Sequence, residues 1–124
     1  MSQLQKQTEP ARSYRDLIVW QKAHAYVLNV YKATKRFPAD ERFGLTSQLR
    51  RASASIPANI TEGFVKRTKQ DKARYIDIAH GSAQECSYFL LLAKDLGYLK
   101  TDRLANAIEE VSRLIGGYLK GLRR

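Results

Sequence analysis

A chain of 124 residues with a hydrophobic fraction of 44% is sized for one domain with a single modest core, and its three Pro and seven Gly exclude a long disordered or collagen-like region. Twenty-two Lys and Arg against 12 Asp and Glu leave a net charge of +10, which favours polyanionic partners and says nothing of sequence specificity. One cysteine, Cys86, excludes an intramolecular disulfide, and the longest apolar run, "YFLLLA" at 88–93, falls far short of the roughly 20 residues needed to cross a bilayer.

The opening "MSQLQKQTEPARSY" has no apolar segment of the kind a secretory signal needs. Residues 1–14 are therefore expected to be a flexible polar tail, 15–124 the folded domain, and the cytoplasm the location. Helical periodicity holds through that domain, and nowhere do residues alternate as in a half-buried strand. The first helix is expected from Asp16, a good first-turn carboxylate, to Arg36, where "FPAD" stops it. Lys22, Asn29, Lys32 and Arg36 share a narrow polar stripe. The rest carries two apolar rows: Leu17, Trp20, Val27 and Tyr31 in one, Val19, Ala23, Tyr26 and Val30 in the other. An edge helix of a monomeric bundle normally shows one such stripe. Either this helix is unusually buried, or the row Val19, Ala23, Tyr26 and Val30 faces another subunit.

The second helix is expected from Asp40 or Glu41 to Lys66, with Leu45, Leu49, Ala52, Ile56 and Ile60 as its core stripe. Pro57 lies inside it; without an amide it cannot bond the carbonyl of Ser53, so a kink is expected there. The third helix is expected over 70–96. Folding it back on the second sets Ser53 level with Ser82 and turns "ASAS" at 52–55 toward "GSA" at 81–83. Gly81 would then permit a close backbone crossing, and Gly81→Leu would cost several kcal/mol, on the order of the worst overpacked cores. "KDLGYL" ends this helix, with Gly97 in the left-handed C′ position. Thr101 or Asp102 caps a fourth helix, over 102–122, whose Leu104, Ile108, Val111, Ile115, Tyr118 and Leu122 step by three or four. Long helices with short connections favour antiparallel neighbours, so the expected fold is all-α, an up-down-up-down four-helix bundle.

"DLIVWQKA" at 16–23, "FPADERFGLTSQLRRASASIPANITEG" at 37–63 and "IAHGSAQE" at 78–85 resemble the bacterial four-helix-bundle proteins encoded within intervening sequences of large-subunit ribosomal RNA genes. That family is similar to the accessory variability proteins of diversity-generating retroelements. The resemblance implies a ring-shaped homopentamer, basic on its surface or in its channel. The retroelement relatives bind nucleic acid and a reverse transcriptase, and no catalytic residue carries over.

Candidate chemistry is sparse. His24, His80 and Cys86 are scattered, and although Asp77 with His80 at i, i+3 is spaced like half of a di-iron bundle motif, that site needs two Glu-x-x-His units plus two further Glu and neither unit is present, so neither metal nor cofactor is expected. Cys86 has no basic neighbour in sequence and reads as a small buried hydrophobe. With no phosphate loop and no hydrolase triad, enzymatic activity is not expected.

The basic residues are the feature that can act. Residues 73–100 are balanced at three basic and three acidic side chains, so the excess lies elsewhere. Lys66, Arg67, Lys69, Lys72 and Arg74 surround the second turn; Lys120, Arg123 and Arg124 end the chain; Arg50 and Arg51 lie on the second helix. Together these read as contacts to the phosphates of RNA or DNA without base readout. The competing reading is a scaffold whose assembly recruits a protein such as a reverse transcriptase, with the charge assisting. Membrane binding is not expected, because the apolar stripe of the fourth helix is needed by the core.

Overall fold

The computed structural model describes residues 10–124, so the first nine residues of the expected tail lie outside the described residues. The described residues form four α-helices and no strand: α1 (Ile18–Thr34), α2 (Leu45–Phe64), α3 (Lys69–Asp95) and α4 (Asp102–Leu122), with short 3-10 turns at Tyr14–Asp16 and Ala39–Glu41. α1 begins two residues later than its periodicity predicts because Asp16 is spent on the turn before it. The Asp16 carboxylate accepts from the amides of Arg12 (2.9 Å) and Ser13 (3.2 Å), while Ser13 Oγ accepts from the Arg15 amide, a capping box.

The start of α2 moves further, from 40 or 41 to Leu45. Glu41 sits in the preceding turn and caps from outside: its Oε1 accepts from the Leu45 amide at 3.0 Å and its Oε2 from the Tyr98 hydroxyl at 2.6 Å. Both bonds favour the ionised carboxylate and hold its pKa below the ordinary value, the Tyr98 bond first. The unfolded chain therefore takes up the proton before the folded one does. The stability this group contributes is complete above the ordinary carboxylate range and is lost as pH falls through the lowered value. Glu41→Gln is expected to lose less melting temperature than the parent between about pH 6 and pH 3; an equal loss in thermal melts would refute the cap.

α3 starts where Thr68 Oγ1 accepts from the Asp71 amide at 3.1 Å. It ends at the expected Schellman motif: Gly97 has φ +76°, its amide bonds Lys94 O, and the Tyr98 amide bonds Ala93 O, both at 3.0 Å. Thr101 holds the cap position of α4 but does not cap it. Its hydroxyl donates instead to Leu90 O at 3.1 Å, tying the start of α4 to α3.

α1 and α3 each pack on both α2 and α4. Trp20 Nε1 donates to Thr61 Oγ1 (3.1 Å) near the start of α1 and the end of α2, while Arg50 Nε donates to Thr34 Oγ1 (2.8 Å) at their other ends. Between α2 and α3, Ser55 and Ser82 share a hydrogen bond of 2.9 Å, and Ser53 Oγ lies 3.4 Å from both Tyr26 Oη and Cys86 Sγ. Lys22 and Glu110 pair at 3.0 Å across α1 and α4. Pro57 is buried inside a helix that continues past it.

The structure departs from two expectations of the sequence. Val19, Ala23, Tyr26 and Val30, expected at a subunit interface, are 4, 0, 1 and 0% exposed within a single chain and belong to its core. They face the axis shared by α2, α3 and α4, so nothing of them is left for a second subunit. The other row runs from buried Leu17 through half-buried Trp20 and Val27 to exposed Tyr31, with Leu28 outward beside it. Gly81, expected at the close crossing, is exposed, and a Cβ placed on it meets nothing within 4 Å. The core row of α3 is Ala73, Ile76, Ala79, Ala83, Cys86 and Leu90, and Gly81 lies on the far side of the helix. The tight approach is at Gly63, where a Cβ would lie 3.1 Å from Tyr75 Cβ and 3.3 Å from Lys72 O.

Candidate nucleic-acid interface

The fold gathers most of the candidate basic residues at one end. α2 ends at Phe64, residues 65–68 turn the chain, and α4 finishes beside them: Arg123 Nη2 pairs with Asp77 Oδ2 on α3. Lys69, Asp71, Arg74, Asp77 and Arg123 line a groove of about 520 Å³ between the start of α3 and the end of α4. A second groove on the same end is lined by Pro10, Ala11, Leu17, Phe64, Tyr118 and Leu122, which brings the segment leading into α1 to this end as well. Arg12 and Arg15, which the sequence places in or beside a polar tail, are therefore further exposed cations on it; their signal in the sequence was charge alone.

The ten candidate cations divide by what they touch. Lys72 Nζ donates to Phe64 O at 2.6 Å and stands over the Phe64 ring, so it holds the last turn of α2, where carbonyls lack helical partners. Arg50 does the same for α1 at the opposite end: besides Thr34 it reaches Tyr31 O at 3.3 Å, with its guanidinium 4.6 Å from the centre of the Tyr31 ring. Arg51 pairs with Glu85 at 3.5 Å, and Lys66 lies 3.8 Å from Glu62 and 5.0 Å from the Tyr75 ring. Arg123 is held by Asp77. Arg67, Lys69, Arg74, Lys120 and Arg124 are exposed and make no ion pair among the described residues; the Arg74 guanidinium lies 5.5 Å from the centre of the Tyr75 ring.

Among the described residues no three His, Cys, Asp or Glu side chains come together as a metal would require. Burial pushes the Cys86 thiol upward in pKa and keeps it protonated beside Ser53 and Tyr26. Among the described residues no helix is long and apolar enough to cross a membrane.

A family model described as 23S rRNA-intervening sequence protein matches residues 15–117. The crystal structure of a protein with unknown function from the S23 ribosomal protein family, from Bacteroides thetaiotaomicron, superposes with a TM-score of 0.76. It covers 83% of this chain and 96% of that one at 22% sequence identity, which shows a shared fold. The comparison with curated proteins found no match.

Proposed function

The chain belongs to the 23S rRNA-intervening sequence protein family, and from that premise we propose that it is a non-enzymatic, homo-oligomeric nucleic-acid-binding protein that holds phosphates by charge. The observation that carries this reading is the set Arg67, Lys69, Arg74, Lys120 and Arg124, five exposed cations on one end of the bundle that form no ion pair among the described residues. Charged side chains left to water add little to stability, so their accumulation is not explained by the fold. A net charge of +10 acts in the same direction. Lys72, Arg50 and Arg123 serve the fold first and contribute to the field around it.

Assembly, with a pentamer favoured by the family resemblance, fits the outward apolar side chains: Leu28 and Tyr31 on α1, Ile78, Tyr88 and Leu91 on α3 are all more than two-fifths exposed in the single chain. The same surface is what a scaffold recruiting a protein such as a polymerase or reverse transcriptase would present. The unpaired, protonated thiol of Cys86 suits a reducing compartment such as the cytoplasm.

The experiment is a fluorescence-anisotropy titration of labelled RNA and DNA duplexes at two salt concentrations, on protein whose mass is measured by light scattering. Contact with five phosphates gives a log–log salt slope of about −4.5, which weakens binding roughly 500-fold between about 50 and 200 mM salt. Absence of binding at the lower salt overturns the nucleic-acid reading, and a mass of one chain overturns the assembly.

A further inference from the structure

Residues that sequence reasoning assigned only to a polar stripe, or passed over, meet at the opposite end of the bundle. Lys32 and Arg36, from the last turn of α1 and just beyond it, and Lys100 and Arg103, from the start of α4, rim one groove of about 360 Å³. Ala33, Leu99, Leu104 and Ala107 also line it, and all four cations are exposed. None makes an ion pair, hydrogen bond or ring contact among the described residues.

Among the described residues no carboxylate lines the groove; Asp40 and Asp95, four residues from Arg36 and five from Lys100, are exposed and make no ion pair among the described residues, and the other carboxylates near in sequence are placed elsewhere. Asp102 pairs with Lys94 at 3.2 Å, Glu110 with Lys22 at 3.0 Å, and Glu41 bonds Tyr98 and the Leu45 amide. Glu109 lines a different groove, with Gln84 and Ser112. The groove at the other end, by contrast, holds Asp71 and Asp77 among its cations. Helix electrostatics explain half of the arrangement at most. Lys32 and Arg36 suit the negative end of α1, but Lys100 and Arg103 stand at the positive end of α4, where the dipole disfavours cations.

We propose that this groove is a second phosphodiester-binding site, which seats the backbone of a nucleic-acid strand between α1 and α4. The proposal rests on the nucleic-acid reading above and adds to it a place and four residues. A polymer fits better than a small anion. Exposed cations hold an isolated anion weakly, because each contact is screened by water, whereas successive phosphates of a polymer release condensed counterions with every charge neutralised. α3, with 27 residues, is about 40 Å long, so this groove and the α2–α3 turn are separated by roughly 12 base pairs of duplex. One long duplex can reach both ends; one of about six base pairs cannot.

The test uses the full chain and an RNA duplex of about 20 base pairs, read by fluorescence anisotropy across a salt series. The double variants Lys32→Gln/Arg36→Gln and Lys100→Gln/Arg103→Gln are each expected to weaken binding about tenfold at low salt and to reduce the magnitude of the salt slope by about 1.8. Arg42→Gln/Arg113→Gln removes the same charge outside the groove and is expected to change affinity less than threefold. If the parent binds while the groove variants match it in affinity and slope, this inference fails and the nucleic-acid reading stands. If the control pair weakens binding as much as the groove pairs, the effect is net charge and the groove is no site. If the parent does not bind at low salt, both fail.

Discussion

Tyr26→Ala is expected to destabilise the protein by about 3–5 kcal/mol, the range seen when a buried aromatic side chain is truncated. Tyr26 is 1% exposed at the centre of α1, and its hydroxyl accepts from Ser53 Oγ at 3.4 Å beside Cys86. Truncation leaves a large cavity between α1, α2 and α3, and relaxation is limited because Leu49, Ala52 and Ile56, in the same core and flanking Ser53 in sequence, are themselves fully buried. For a domain whose total stability is about 5–15 kcal/mol, this removes roughly a fifth or more. Tyr26→Phe keeps the ring and is expected to cost only about 1 kcal/mol, because the Ser53 hydroxyl retains Cys86 Sγ as a partner. Urea denaturation followed by helical circular dichroism measures both. The pair also tests the core assignment of this row of α1. A core row loses stability on truncation, whereas an interface row would lose subunit mass with the fold intact, and the latter outcome would restore the interface assignment.

The second large effect is at a glycine. Gly63→Leu is expected to cost about 3 kcal/mol, at the upper end of core overpacking. The atoms a Cβ would press on are Tyr75 Cβ, Lys72 O and Ile76 Cδ1, and the first two are the root of a side chain and a backbone carbonyl that cannot swing aside. Lys72 also holds the end of α2 through Phe64 O, so a shift there loosens the turn that carries Arg67 and Lys69. Gly81→Ala, by contrast, is expected to stabilise by about 0.5–1 kcal/mol, since a mid-helix glycine with open space around it is replaced by the best helix former. Thermal melts of the two variants decide it. A neutral Gly63→Leu or a strongly destabilised Gly81→Ala would put the close approach back at the middle of α2.

How much of this was legible in the sequence depends on whether a property is local. The four helices, the stop at Gly97, the stripe of α2 through Leu49, Ile56 and Ile60, and that of α4 through Ile108 and Ile115 follow from a 3.6-residue repeat and from cap chemistry a few residues wide. Those signals need no knowledge of the neighbouring helices, and the described residues agree with them to within a few positions. The largest boundary shift, at the start of α2, came from Glu41, whose carboxylate is held by Tyr98, 57 residues away.

Periodicity yields the existence of an apolar row but not its azimuth. α1 carries two rows, and which one turned inward was settled by α2, α3 and α4 closing around it; the same uncertainty of rotation put Gly81 on the wrong face. Net charge was likewise plain from composition, while its effective distribution depended on where carboxylates from other helices fall. Asp77 reaches Arg123 across 46 residues and mutes it, and Asp102, beside Lys100 and Arg103 in sequence, turns to Lys94 and leaves them bare. The reason is the same in each case: a helix sets spacing along the chain, and only packing sets which side chains stand within a few ångströms of one another.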